Sequence, residues 1–167
     1  MLKYHYKINR KGYSIIKEKI CTVPVNDAFA FDSECPIYSM LERLESDAVE
    51  YVRGPSYMED DIREKTDKMG FCSRHIKKIY EQNNRLGYAL IMKTHMDYVI
   101  KQIESYSYDK DTVKTLLKKG KEAQACSYID ELEGKCFVCD KVEDTIERYI
   151  DTVFYMYKHD KDFVEKL

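Results

Sequence analysis

The sequence predicts an all-α protein of five or six helices in one compact helical domain, and three observations carry that expectation. All three prolines, Pro24, Pro36 and Pro55, fall in the first third of the 167 residues, so the remainder runs on without strong helix breakers. Apolar residues recur at steps of three and four along most of the chain, the period of a helix with one buried face. Only residues 1–20 alternate weakly, and that stretch reads as a short irregular arm or a single strand.

Composition bounds what such a chain can be. With 44% hydrophobic and 35% charged residues it has the mixture of a globular protein with a densely charged surface, long enough to bury roughly 70% of its unfolded area. The net charge of -2 gives no electrostatic reason to expect nucleic acid or an anionic membrane as a partner, and leaves room for a protein partner. Apolar runs such as residues 88–92 are far shorter than the roughly 20 residues needed to cross a bilayer. The first residues lack the apolar stretch and cleavage site of a secretory signal, which points to the cytoplasm. In that reducing setting the six cysteines are metal ligands or redox groups sooner than disulfides.

The first clear helix opens at Cys35-Pro36, with proline at its first position, and carries Leu41, Leu44, Ala48 and Val52 on one face before Gly54-Pro55 stops it. Ser56 and Glu59 have capping-box spacing, and a short helix with Glu59/Arg63, Asp61/Lys65 and Glu64/Lys68 pairs follows. That acidic cluster reads as a solvated face. Gly70 ends it, and helical spacing resumes at Ile76, Ile79 and Tyr80. Beyond Asn83-Asn84, the series Ala89, Met92, Met96, Val99, Ile103 and Tyr106 forms a seam expected to pack on the helix that starts near Cys136. His95 beside it reads as a structural histidine. A further helix is expected from about Asp109, with Val113, Leu116 and Leu117, toward Gly134, weakened by Gly120. The last one buries Val138, Val142, Ile146, Tyr149, Val153 and Tyr157.

Two clusters carry the chemistry: Cys72-Ser73-Arg74-His75, a C-x-x-H, and Cys136-Phe137-Val138-Cys139, a C-x-x-C. Each spacing lets two soft ligands from one turn reach a single tetrahedral ion. Cys35-Pro36-Ile37-Tyr38 looks like a third member with tyrosine in place of its second thiol. Superposing Cys35 on Cys136 shifts the chain by 101 residues and also sets Tyr38 on Cys139, Leu41 on Val142, Val52 on Val153 and Ile62 on Phe163. An internal duplication of a Cys/His helical unit follows, with one half over about 35–107 and an incomplete second half over about 109–167. On that basis Cys35, Cys72 and His75 form one zinc-type site that lacks a thiol at Tyr38. Cys136 and Cys139 form another, whose C-x-x-H would fall beyond Leu167. Cys21 and Cys126 match no ligand spacing.

The blocks Lys17-Glu18-Lys19-Ile20, Pro24-Val25-Asn26-Asp27-Ala28-Phe29, Glu34-Cys35-Pro36, residues 56–66, Gly70-Phe71-Cys72-Ser73-Arg74-His75, Asn84-Arg85-Leu86-Gly87, Cys136-Phe137-Val138-Cys139 and Glu147-Arg148-Tyr149 occur together in this order. In them the chain resembles an uncharacterised bacterial family, the domain of unknown function six-zero-six-two, from about Lys17 onward. The resemblance implies a second cysteine where this chain has Tyr38 and a further Gly-Phe-Cys-x-x-His block past its end. It thus implies a shortened C-terminus, with residues 1–16 as an extension to a domain over 17–167. It implies no activity.

Three functions stay open on the residues alone. The first is a structural metal-binding or interaction module holding zinc through Cys35, Cys72, His75, Cys136 and Cys139. The second is thiol redox chemistry at Cys136 and Cys139, and the third a helical interaction module whose cysteines are small buried apolar groups. Other enzyme classes find no support. The chain has no Gly-rich phosphate loop and no G-x-S-x-G, and Met92 and Cys72, three residues before His95 and His75, exclude a Glu-x-x-His pair.

Overall fold

The computed structural model describes residues 15–81, 84–106 and 119–166, and every regular element among them is a helix. In chain order these are α1 (Ile15–Ala30), α2 (Pro36–Arg53), a 3-10 turn (Pro55–Met58), α3 (Asp60–Met69), α4 (Ser73–Tyr80), α5 (Arg85–Tyr106), α6 (Lys119–Glu133), α7 (Phe137–His159) and α8 (Lys161–Val164). The all-helical class is as expected. The described residues hold eight α-helices instead of five or six, because α4 is separate from α5, α8 closes the chain, and α1 occupies part of the expected arm.

Residues 15–20 are helical, not extended, and α1 continues through Pro24. A proline inside a helix removes one backbone hydrogen bond and crowds the preceding turn. Packing outweighs that cost here. Val25 is fully buried, and one turn later the Phe29 ring meets Phe163 edge-on with centroids 5.0 Å apart. The described residues fall into two compact units. One joins residues 15–40 to 146–166, and the other is the continuous stretch 41–145.

In the first unit Val25, Met40, Ile146, Met156 and Phe163 are buried. The Asp160 carboxylate caps α8 by accepting the Phe163 amide at 3.1 Å. Late in α7, Thr152 and Met156 take the buried positions, and Tyr157, expected inside, is 57% exposed.

The second unit has a core of Ala48, Val49 and Val52 from α2, Ile62 from α3, Phe71, Ile79 from α4, Ile91 from α5, and Cys136, Phe137 and Val138 where α7 begins. Ala48 and Val52 lie on the expected face of α2, while Leu41 and Leu44 are half-buried. Ser56 lies in the 3-10 turn, and Glu59 is the N-cap residue of α3, without a side-chain cap bond. Asp60 and Asp61 then supply the negative charge that favours a helix start. Of the pairs on α3, Glu64 with Lys68 forms on its solvated face.

α5 packs chiefly on α3, not on α7 as expected. Its buried residues are Gly87, Ile91 and His95, at steps of four, whereas Ala89 and Met96 of the expected seam are exposed. Ile91 is the one strongly apolar residue of that buried stripe, so apolar periodicity points to the neighbouring stripe instead. Gly87 is part of the reason. A side chain there would meet the Tyr57 ring at 2.9 Å, so the missing Cβ lets the 3-10 turn close onto α5. α6 begins at Lys119, and Asp109, Val113, Leu116 and Leu117 lie outside the described residues.

Gly70 ends α3 at φ 60° and ψ -153°, a conformation open to little but glycine. A Cβ there would lie 2.6 Å from His95 Nε2, and His95 is itself fixed by its Nδ1, 2.8 Å from the Asp67 carbonyl oxygen. His95 is thus a structural histidine, locking the turn beneath it. Replacing Gly70 by alanine should cost about 2–4 kcal/mol, read from the urea midpoint. Gly134→Ala, where the nearest atom to a new Cβ is the Glu131 carbonyl oxygen at 3.6 Å, should change stability by less than about 1 kcal/mol.

Candidate metal centre

Two turns of the second unit share one design. Cys72 is the N-cap residue of α4 with His75 in the first turn, and Cys136 stands just before α7 with Cys139 in its first turn. In each the cysteine carbonyl accepts the amide four residues on, Ile76 at 2.9 Å and Asp140 at 3.0 Å. Residues three apart at a helix start lie on one side, so each turn aims its pair the same way. The turns are tied directly, because the Phe137 amide donates to the Gly70 carbonyl at 3.0 Å. Beside that bond the Phe71 and Phe137 rings meet edge-on at 6.4 Å.

The result is a group of four donors whose ligand atoms all lie within 4.8 Å of one another: Cys72, His75, Cys136 and Cys139. His75 Nδ1 is 3.2 Å from Cys72 Sγ, 3.2 Å from Cys136 Sγ and 3.4 Å from Cys139 Sγ. Cys72 Sγ and Cys139 Sγ are 4.0 Å apart. A tetrahedral zinc ion with bonds of about 2.3 Å to sulfur and 2.0–2.1 Å to nitrogen sets its ligand atoms roughly 3.5–3.8 Å apart. These four distances lie within a few tenths of an ångström of that spacing. His75 and Cys136 are buried, at 1% and 4% exposure, and Cys72 and Cys139 are half-buried.

A residue that sequence reasoning missed completes the arrangement. Glu45, on α2, places Oε1 2.8 Å from His75 Nε2 and 3.1 Å from the Arg74 guanidinium, and Oε2 2.6 Å from Lys78 Nζ. With Nε2–H donating to Glu45, the Nδ1 lone pair faces the three sulfurs. Nothing in the spacing of α2 sets Glu45 apart from its other carboxylates. The signal available in sequence is chemical, since a buried ligating imidazole needs an acceptor for its second nitrogen.

The electrostatics favour a cation. Burial pushes the Cys72 thiol up, but the His75 amide, the Cys136 and Cys139 thiols and the Arg74 amide outweigh it and hold Cys72 below its ordinary value. Cys139 is pushed up to about 12, by burial first and then by the neighbouring Cys136 and Cys72. The protein alone thus favours one thiolate and resists a second. A divalent ion removes that conflict.

Cys35 is exposed and lies outside this group, as do Cys21 and Cys126, and Tyr38 is 59% exposed. The expected pair of separate incomplete sites is therefore corrected. The C-x-x-H and the C-x-x-C complete one another, and Cys136 and Cys139 face Cys72 and His75 instead of a gap. The 101-residue shift matched two helix starts that look alike because each opens an amphipathic helix, and such likeness carries no information about which turns meet in space.

Residues 16–167 match the family of unknown function DUF6062. The chain belongs to that family. The match begins one residue before the Lys17 from which the resemblance was traced, so it bears out the family and adds no activity. No curated protein and no solved structure matches the chain. Among the described residues no helix is long and apolar enough to cross a membrane.

The pH response follows from two groups. Burial holds His75 below its ordinary value of 6.5, against the opposing pull of Glu45. Burial tends to raise Glu45, but its bonds to Lys78 and His75 and the Arg74 charge hold it below 4.5. In both cases the unfolded chain takes up the proton first, so stability is present above the ordinary value and lost as pH falls through it. With chelator present, the urea midpoint should fall as pH drops through about 6.5 and again below about 4.5. His75→Asn should flatten the first of these steps, measured across a pH series.

Proposed function

We propose that this DUF6062 protein is a helical module built on a structural, zinc-type metal centre, with Cys72, His75, Cys136 and Cys139 as its ligands. The observation that carries the proposal is the convergence of four donor atoms within 4.8 Å, from two turns of the same design. Three sulfurs and one nitrogen at tetrahedral spacing suit zinc above harder ions. Four protein ligands leave no open position for substrate, so the ion's role is to hold the start of α4 to the start of α7 and so fix the surface the unit presents to a protein partner. A structural zinc contributes about 10–16 kcal/mol in small domains, as much as the whole stability of many folds. Its three thiolate ligands fit a reducing, cytoplasmic setting. Thiol redox chemistry at Cys136 and Cys139 is the weaker alternative, because a Cys139 thiol raised to about 12 is the reverse of an activated nucleophile.

Protein purified without chelator should carry about one zinc per chain by elemental analysis. Cobalt substituted for zinc should give the ligand-field bands of a tetrahedral site with thiolate charge transfer. Cys72→Ser and Cys136→Ser should each abolish retention, whereas Cys35→Ser should retain the wild-type content. Stripping the metal should remove a large part of the unfolding free energy. Wild-type protein that neither retains nor takes up zinc would overturn the proposal.

A further inference from the structure

We infer that Glu45 is the positioning residue of this centre: its carboxylate holds His75 with Nδ1 toward the ion and, with Arg74 and Lys78, brings the whole assembly to neutral charge. The inference rests on the metal reading above and deepens it. Three thiolates and a neutral imidazole around a divalent ion leave one excess negative charge in a buried place, which is costly unless paired. Glu45 adds a second. Arg74 at 3.1 Å and Lys78 at 2.6 Å, both on the Glu45 carboxylate, supply two positive charges and so balance both.

Glu45 is placed for this work. Its side chain is only 17% exposed, and Oε1 accepts from His75 Nε2 at 2.8 Å. Arg74 and Lys78 flank His75 on α4, so the first turns of that helix present a ligand and two counter-charges to one carboxylate from α2. The neighbouring carboxylate Glu42, one turn earlier on α2, lines a shallow groove together with Glu45 and Lys78 and is exposed. It serves as the control.

The test is zinc affinity by chelator competition, with the His75 imidazole N–H proton followed by NMR in the zinc-loaded protein. Glu45→Ala should weaken zinc ten- to hundred-fold and lose the His75 Nε2–H signal to solvent exchange. Glu45→Gln keeps an acceptor oxygen, so it should retain the protected proton and weaken zinc by an intermediate factor through the lost charge. Glu42→Ala should match the wild type. If folded Glu45→Ala binds zinc within twofold of a zinc-binding wild type, the role of Glu45 is overturned while the metal centre stands. Should Glu45→Ala fail to fold, Glu45→Gln decides: wild-type affinity in that variant overturns the charge-balancing role. A wild type that binds no zinc overturns the centre and this inference together.

Discussion

Three sulfur atoms and one imidazole nitrogen share a space less than 5 Å across, and that crowding is the constraint around which the second unit is arranged. Donors brought so close repel when deprotonated and hydrogen-bond poorly when protonated, so something must hold them there. Part of the holding is backbone. Gly70 takes a conformation that other residues resist, which aims its carbonyl at the Phe137 amide, and the bond between them sets the two cysteine turns side by side. The ring of His95 beneath Gly70 prevents that turn from relaxing.

Packing supplies the rest. One face of α2 does both jobs at different heights: Ala48, Val49 and Val52 enter the core, and Glu45, about one turn earlier on the same face, reaches His75. Burying a valine such as Val52 is worth about 1.5–3 kcal/mol, and this apolar burial sets the height and rotation of the helix that carries the carboxylate. Phe71 and Phe137, each next to a cysteine, join both turns to the same core. The chemistry of the cluster thus depends on the apolar packing around it, of which Cys136 is itself a part.

Much of this was legible in the sequence, and the exceptions have physical causes. The helical class, the start of α2 at Pro36, the stop at Gly70, the start of α7 and the C-x-x-H and C-x-x-C pairs are local features, written in residues close together. What local features do not encode is which turns meet. Cys35 and Tyr38 imitate a ligand pair at a helix start yet are not among the four donors, while Glu45 has no motif and bonds His75, 30 residues away. The face of α5 was misplaced for a related reason. Gly87 and His95 are core residues by virtue of what they admit and accept, a missing side chain for Tyr57 and a carbonyl from Asp67, and neither counts as apolar in a periodicity. Pro24 marks the opposite case, a strong local breaker overruled by the burial of Val25 and the packing of Phe29 on Phe163.

The division of the chain into one continuous and one discontinuous unit bears on how the protein emerges from the ribosome. Phe163 is translated long after Phe29, so at 5–20 residues per second α1 waits on the order of ten seconds for the ring it packs against. All four donors, together with Glu45, Arg74 and Lys78, lie within residues 45–139 of the uninterrupted unit. The proposed centre can therefore come together on the nascent chain while the other unit is still one half of itself. During that interval Val25, buried in the finished unit, and Phe29, which packs on Phe163, stand without that cover, and they are the side chains of α1 most open to unwanted apolar contacts.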